Sequence, residues 1–142
     1  MCISRGAVLV ACGGLMVERR KSSVLVVEDD EPLLGLFEKV LEQSGFEAVL
    51  ATTLERAQTL IAERRFDILV FDLSVAGGRN VFEFTAAVRA RWPKMKLLII
   101  SGLIPDDIAF RAQAMGIEVL DKPFSPPDLI ARIASLLGRQ AA

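Results

Sequence analysis

The sequence of 142 residues contains no histidine and no tyrosine, and it has only two cysteines, Cys2 and Cys12. Because histidine is the commonest metal ligand and the usual general base near neutral pH, any chemistry has to rest on carboxylates, hydroxyls and lysine. Two cysteines are too few for a four-cysteine zinc site or a disulfide framework, and their scarcity fits a reducing compartment. We therefore expect a cytoplasmic protein.

A strong net charge is also missing, since 17 lysines and arginines face 18 aspartates and glutamates, for a net charge of −1. This balance gives no bulk electrostatic reason to expect direct binding to nucleic acid. The charge is unevenly distributed: residues 1–22 hold four basic residues and one acidic residue, whereas residues 23–142 hold 13 basic and 17 acidic residues, a net −4. The main body is therefore mildly acidic.

The apolar run at residues 6–17, GAVLVACGGLMV, is too short to cross a membrane as a helix, which needs about 20 residues. We therefore expect no membrane association. The run resembles the apolar part of a secretory signal, and residues 9–12 resemble a lipoprotein cleavage site, but the dense positive charges at 19–21 follow the run instead of preceding it. We prefer to interpret residues 1–22 as an N-terminal extension, either disordered or a non-native start with Met16 as the true first residue.

The composition, 52% hydrophobic and 25% charged, is typical of a folded domain, and the length fits a single one. We assign this domain to residues 23–142, where short apolar runs alternate with longer segments of helical period, the pattern of βα units with a parallel sheet. The predicted strands cover 24–27, 46–51, 68–71, 97–100 and 117–120. The predicted helices cover approximately 31–44, a segment beginning at 52–55, 80–91, 105–116 and a segment from 126 onward.

Several helix starts carry capping signals. Ser125 precedes Pro126 as a cap followed by a first-turn proline, and Thr52 and Glu55 have the spacing of a capping box. Asp30 is better explained as the cap of the first helix than as a metal ligand, because Glu31-Pro32 follows it as a typical first turn. The repeated phenylalanines are predicted to lie in the core: Phe37, Phe82, Phe84 and Phe110.

Five βα repeats are too few for an eight-stranded barrel of about 250 residues, so an α/β fold with an open, doubly wound, five-stranded parallel sheet is predicted. Ligands of such sheets bind outside the carboxyl ends of the strands. Clustered carboxylates at that edge repel one another unless a cation binds or one of them stays protonated, and a hard divalent cation such as Mg²⁺ is the natural solution. The polar residues at these strand ends are Glu28, Asp29 and Asp30 after the first strand, Asp72 after the third, Ser101 after the fourth and Lys122 after the fifth.

The chain from Ser23 to about Arg139 resembles the receiver domain of bacterial two-component response regulators, in the CheY-like superfamily. The resemblance rests on VLVVEDD at 24–30, on Asp72 after a buried strand, on Ser101-Gly102, and on DKPF at 121–124. The intervals between the key acidic, hydroxyl and lysine positions also agree with the family. The resemblance implies a flavodoxin-like (βα)₅ fold with strand order 2-1-3-4-5.

The resemblance also implies a role for each matching residue. Asp72 corresponds to the aspartate that accepts a phosphoryl group from a kinase histidine, giving 4-aspartylphosphate. Lys122 corresponds to the lysine that pairs with this acyl phosphate, and Ser101 to the hydroxyl that donates to a phosphoryl oxygen. The family's activity is limited to autophosphorylation and autodephosphorylation, so we do not expect an enzyme in the usual sense.

The metal site implied by the resemblance holds Mg²⁺ through Glu28, Asp29, Asp72 and the backbone carbonyl of Ser74. Ser74 also occupies the position where the family tunes access of hydrolytic water. Gly102 corresponds to a small residue beside the switch hydroxyl, where bulk would crowd the phosphate.

Three features depart from the family pattern. The loop after Asp72 reads Val-Ala-Gly-Gly-Arg-Asn at 75–80 in place of Met-Pro-Gly followed by Asp-Gly, and the added glycines are expected to loosen it. Val119 occupies the position of an aromatic residue that swings inward on activation. No output domain follows the last predicted helix, so we expect the protein to act through a partner, or the sequence to be a fragment.

The predicted function is therefore that of a single-domain receiver, phosphorylated by a sensor histidine kinase or a histidine phosphotransfer protein. It would signal to an unknown downstream protein through the fourth helix, fifth strand and last helix, a face that also permits a homodimer. The candidate apolar surface positions on this face are Ala109, Ala112 and Ile130. The alternative is a receiver-like interaction module that has lost its phosphorylation switch.

Two enzyme classes fit less well. A haloacid-dehalogenase-like phosphatase needs a second acid two residues after its nucleophile, where this chain has Ser74. A dinucleotide-binding enzyme needs a glycine-rich loop after the first strand, where this chain has Glu-Asp-Asp at 28–30.

Overall fold

A computed structural model describes residues 7–12, 15–75 and 81–138 of the chain. The strands are β1 (Ala7–Cys12), β2 (Leu15–Arg20), β3 (Ser23–Val27), β4 (Glu47–Ala51), β5 (Ile68–Asp72), β6 (Lys96–Ser101) and β7 (Glu118–Asp121). The helices are α1 (Glu31–Gln43), α2 (Leu54–Glu63), α3 (Val81–Arg91), α4 (Asp106–Ala114) and α5 (Pro126–Leu136). The predicted boundaries agree with these elements to within a few residues, and the predicted loop residues 76–80 lie outside the described part.

Strands β3 to β7 form one parallel sheet in the order β4-β3-β5-β6-β7. Counted from β3, this is the order 2-1-3-4-5, so the predicted flavodoxin-like topology is confirmed. Every residue of β3 and of β5 is buried, because helices cover both faces of the sheet. The strands appear in the sequence as continuous apolar runs because helices cover both faces of the sheet.

Alternate residues of each strand enter two separate cores, as the two-residue period of a strand requires. Leu25 and Val27 pack on the face covered by α2, α3 and α4. Val24 and Val26 pack on the opposite face, which α1 and α5 cover through residues such as Leu41 and Ile133. The doubly wound arrangement is therefore visible already in β3.

The caps hold the helix starts in register. Ser125 and Asp128 form the reciprocal capping box of α5, which confirms the predicted cap. The Asp30 carboxylate accepts a hydrogen bond from the Leu33 amide at 3.2 Å, so Asp30 is the cap of α1, as predicted. The prediction for α2 was wrong by one residue: the cap is Thr53, not Thr52, because the extended backbone at Thr53 turns its hydroxyl toward the α2 amides.

Helix α4 corrects two further predictions. Phe110 is 74% exposed and does not belong to the core, and Ala112 is fully buried and is not a surface position. The reason is helical geometry: Ile108 and Ala112, four residues apart, face the sheet, and a residue midway between them points away from it. Ala109 and Ile130 are partly buried.

Strands β1 and β2 form a two-stranded antiparallel sheet of their own, separate from the parallel sheet. The sequence does not predict these strands, because an apolar run without alternation is equally typical of a buried strand, a signal segment or a helix. The division of the chain at residue 22 stays a prediction, and residues 1–6 and 13–14 lie outside the described part. Within the described residues, no helix combines the length and apolar character needed to span a membrane.

Candidate functional site

The carboxyl-terminal edge of the parallel sheet brings the predicted site residues together. Asp72 and Ser101 are the last residues of β5 and β6, and Glu28 directly follows β3. All three are buried, at 5%, 4% and 3% exposure, whereas Asp29 is exposed. Buried carboxylates require partners, so the contacts of Asp72 and Glu28 define the site.

Lys122 provides the shared partner for these two carboxylates. Its Nζ donates to Asp72 Oδ2 at 2.6 Å and to Glu28 Oε2 at 3.2 Å. The backbone holds the lysine in place, because the Lys122 amide donates to the Ser101 carbonyl at 2.8 Å. An ordinary surface lysine would have no reason to bridge two buried acids.

The second oxygen of Asp72 is held by Ser74. Asp72 Oδ1 accepts a hydrogen bond from the Ser74 amide at 2.8 Å and another from the Ser74 hydroxyl. The hydroxyl contact was missed at the level of the sequence, although an acceptor followed by a serine two residues on is a typical local side-chain turn. Both oxygens of Asp72 are therefore fixed in direction.

Glu28 turns its other oxygen toward its own backbone. Its Oε1 accepts from the amides of Asp29 at 3.0 Å and of Asp30 at 3.3 Å. The Glu28 amide donates in turn to the Ala51 carbonyl at the end of β4, at 3.1 Å. The turn from β3 into α1 is thus folded around this carboxylate.

The pKa values of the three groups reflect this arrangement. Burial raises the pKa of Glu28, with the Asp29 carboxylate and the Asp72 charge acting in the same direction, and the Lys122 hydrogen bond offsets only part of it. Burial acts against the Asp72 carboxylate as well, but the hydrogen bonds from Lys122 and Ser74 outweigh it and lower the Asp72 pKa. Burial likewise opposes the Lys122 charge, and the bonds to Asp72 and Glu28 outweigh it, so the Lys122 pKa is raised. Asp72 is thus a carboxylate, held beside an ammonium group.

The fit of a metal ion depends on the chemistry of the acidic residues. Among the described residues, no three acidic, histidine or cysteine side chains are grouped so as to hold an ion, and the Lys122 ammonium contacts both buried acids. Glu28, Asp29 and Asp72 nevertheless offer only oxygen ligands, and Mg²⁺ needs few carboxylates because it keeps several waters. The chemistry of these donors therefore suits Mg²⁺, and Asp29 is the exposed member of the three.

The loop after β6 lies against the lysine. A Cβ atom built on Gly102 would lie 3.9 Å from Lys122 Cβ, an ordinary van der Waals distance. The structure therefore leaves room for one methyl group at this position. Val119, in the neighbouring β7, is partly buried against the core that α4 covers.

Comparison with known proteins agrees with this geometry. The family described as "Response regulator receiver domain" matches residues 24–134. The chain belongs to this family. Curated relatives of this receiver domain include the transcriptional regulatory protein YvrH of Bacillus subtilis, 28% identical over 120 residues. The alginate biosynthesis transcriptional regulatory protein AlgB of Pseudomonas putida is 32% identical over 107 residues.

The chain spans only part of these relatives. The YvrH match covers 83% of this chain and 50% of YvrH, and the AlgB match covers 75% of this chain and 24% of AlgB. Solved structures match more evenly. A response regulator from Thermotoga maritima superposes with a TM-score of 0.75 at 20% identity, covering 83% of this chain and 98% of its own. Chemotaxis protein CheY4 of Vibrio cholerae gives 0.72 at 25% identity, covering 82% and 98%.

Several properties are general among receiver domains. Receiver domains are generally not enzymes apart from weak autophosphorylation, and they generally bind Mg²⁺ at the phosphorylation site. They interact with histidine kinases and with downstream effectors. The chain is accordingly a receiver domain of two-component signalling.

Proposed function

We propose that this receiver domain accepts a phosphoryl group on Asp72 from a histidine kinase or a histidine phosphotransfer protein. The observation that supports this most directly is the Asp72–Lys122 ion pair, 2.6 Å long, at the carboxyl-terminal edge of the parallel sheet. The pair keeps Asp72 ionised, and an ionised carboxylate is the form that attacks phosphorus.

In the proposed step, one oxygen of the Asp72 carboxylate attacks the phosphorus of a phosphohistidine. The new O–P bond forms as the P–N bond breaks, and the departing imidazole keeps the electron pair of that bond. Lys122 stays beside the phosphorylated side chain as a positive charge, and the Ser101 hydroxyl donates to a phosphoryl oxygen. The absence of histidine from this chain fits a donor histidine supplied by another protein.

The metal ligands belong to the same proposal. Glu28, Asp29, Asp72 and the Ser74 carbonyl would hold Mg²⁺ at this edge of the sheet. A bound Mg²⁺ supplies positive charge that stabilises the transferring phosphoryl group. The Ser74 amide and hydroxyl both donate to the Asp72 carboxylate. These two bonds hold the Ser74 backbone, and with it the Ser74 carbonyl, next to Asp72.

The output is proposed to pass through the face formed by α4, β7 and α5 to a downstream protein or to a second copy of the chain. Exposed Phe110 on α4 offers apolar area on this helix, in addition to Ala109. The scarcity of cysteine and the proposed kinase partner support a cytoplasmic location.

The test is phosphorylation by a small donor. Incubation with acetyl phosphate and Mg²⁺ is expected to add the mass of one phosphoryl group to the intact protein, and Asp72→Asn is expected to gain none. Chelation of the metal is expected to slow the reaction strongly. A wild-type protein that gains no mass, or a variant that gains as much as the wild type, contradicts the proposal.

A second candidate is an interaction module whose switch no longer operates. It is favoured by Val119, which replaces the aromatic residue of the family's switch. The two candidates differ after phosphorylation: amide hydrogen exchange in α4 and β7 changes in an operating switch and stays the same in a degenerate module.

A further inference from the structure

A second cleft lies at the amino-terminal edge of the parallel sheet, the edge opposite Asp72. It is formed where α2 leads into β5 and where α3 leads into β6, and its volume is about 430 Å³. It is lined by Ile61, Arg64, Arg65, Phe66, Asp67, Arg91, Trp92, Pro93, Lys94 and Met95. None of these residues takes part in the proposed phosphoryl transfer.

The lining is positively charged in a body that is acidic. Arg64, Arg65, Arg91 and Lys94 face one carboxylate, that of Asp67, whereas residues 23–142 together carry a net charge of −4. Arg64 is neutralised by an ion pair with Glu47 at 2.5 Å. Within the described part of the chain, no carboxylate lies within ion-pair distance of the three remaining cations, Arg65, Arg91 and Lys94.

The walls of the cleft are fixed by hydrogen bonds. The Lys96 amide donates to the Asp67 carbonyl at 3.0 Å, which ties the two loops together, and the Met95 amide donates to the Trp92 carbonyl at 3.1 Å. The Arg91 guanidinium lies over the Trp92 ring, 4.9 Å from its centroid. The positive groups are therefore carried on a preformed frame, which lowers the entropic cost of binding.

We propose that this cleft binds a ligand through a polyphosphate group. A cavity of 430 Å³ has the size of a small-molecule site and is small for a protein segment. Guanidinium groups match the geometry of phosphate oxygens and bind them through paired hydrogen bonds. Arg65, Arg91 and Lys94 are exposed and therefore solvated when no ligand is bound, but their position around one small cavity favours a ligand that carries several negative charges within a short distance, as a polyphosphate does. The inference is independent of Asp72.

Trp92 makes the proposal directly measurable, because it is the only tryptophan of the chain and it lines the cleft. The full-length Asp72→Asn protein, which removes the phosphoacceptor, is titrated in low salt and chelator with inorganic tripolyphosphate and, separately, with adenosine triphosphate. We expect a saturable change in tryptophan fluorescence with both. Equal affinities indicate a free polyphosphate, and tighter binding of the nucleotide indicates that its base also makes contact.

Two matched variants test the assignment. Arg65→Gln with Lys94→Gln removes two cleft charges and leaves the Arg91–Trp92 stack intact. It is expected to weaken tripolyphosphate binding by about tenfold or more, because two charged hydrogen-bond donors are lost. The control, Lys39→Gln with Arg56→Gln, removes the same charge from exposed positions on α1 and α2 and is expected to bind like the parent.

Three outcomes overturn the proposal. The first is the absence of saturable binding in both fluorescence and calorimetric titrations. The second is equal weakening in the cleft variant and in the control, which indicates general screening of charge. The third is equally tight binding of hexaglutamate, which indicates a surface for acidic protein segments. Far-UV circular dichroism of each variant establishes that a loss of binding does not come from unfolding.

Discussion

At the scale of single residues, the site is a balance between burial and pairing. Glu28 and Asp72 are similarly buried carboxylates, but their pKa values move in opposite directions. Asp72 receives the shorter bond from Lys122 and two further bonds from Ser74, which outweigh its burial. Glu28 has only the longer bond from Lys122 and two backbone amides, and lies beside other acids. The ionised form is therefore favoured at Asp72 and disfavoured at Glu28.

This difference predicts the effect of pH on Glu28→Gln. The raised pKa means that ionised Glu28 costs stability, fully so above its folded pKa, and that the cost disappears as the pH falls below 4.5, its ordinary value. In chelator, Glu28→Gln is therefore expected to be more stable than the wild type near neutral pH and to lose this advantage in acid. Urea unfolding at a series of pH values measures it.

The control for this experiment is Glu38→Gln, which removes the same charge from an exposed position on α1. It is expected to show no such pH-dependent gain. A Glu28→Gln protein that is less stable than the wild type near neutral pH would mean that the bond to Lys122 outweighs burial, contrary to the assigned direction.

Much of the site could be predicted from sequence, because strand ends of a parallel sheet meet at one edge and the spacing of the motifs places Asp72, Ser101 and Lys122 there. The bridging of Glu28 and Asp72 by Lys122 could not, since it depends on side-chain directions of residues far apart in the chain. The exposure of Phe110 was missed for a similar reason. Hydrophobicity alone does not say which side of α4 meets the sheet.

At the scale of elements, α4 is attached unequally at its two ends. Near its C-terminus, the Arg89 side chain of α3 donates to the carbonyls of Met115 and Gly116, and Arg111 stacks on Phe82 at 4.2 Å. At its N-terminus the cap is Pro105, which makes no side-chain capping bond. The N-terminal end, which follows the Ser101 loop, is therefore the less constrained end.

We predict that Arg89→Ala makes the C-terminal end of α4 less constrained. Its loss leaves the Met115 and Gly116 carbonyls, in the turn that ends α4, without these donors, so amide hydrogen exchange at residues 113–117 is expected to become faster than in the wild type. Exchange in α5 is expected to stay unchanged. The matched control is Arg56→Ala on the exposed face of α2. Unchanged exchange at 113–117 in Arg89→Ala would show that the Arg89 hydrogen bonds do not hold this end of the helix.

The strands and helices were predictable where the spacing of apolar residues in the sequence matches the pattern of burial in the structure. β3 and β5 are covered on both faces and show as continuous apolar runs, and α1, α2 and α5 show clear amphipathic faces. The antiparallel pair of β1 and β2 was not predictable, because the sequence of these two strands does not alternate between polar and apolar residues. Local caps were predictable to within one residue, as Thr53 shows.

At the scale of the whole molecule, the net charge is near zero, but acidic and basic side chains are concentrated at opposite edges of the parallel sheet. The carboxyl-terminal edge of the sheet carries Glu28, Asp29 and Asp72, and the amino-terminal edge carries Arg65 and the other cations of the second cleft. The overall composition gives no reason to expect an anionic ligand. The acidic and basic side chains are separated because the topology places them at opposite edges of the sheet. The acidic side chains of the carboxyl-terminal edge are therefore expected to bind Mg²⁺, and the cations of the amino-terminal edge are expected to bind an anionic ligand.

This charge separation predicts that Mg²⁺ stabilises the whole fold. A ligand that binds only the folded state at ten times its dissociation constant adds about 1.4 kcal/mol to the free energy of unfolding. Asp29→Asn is expected to lose most of this gain, because it removes an exposed ligand. Its neighbour Asp30→Asn is expected to keep the gain, because Asp30 caps α1 and asparagine caps equally well. Thermal unfolding with Mg²⁺ or chelator measures the difference, and equal gains in the two variants would exclude Asp29 as a ligand.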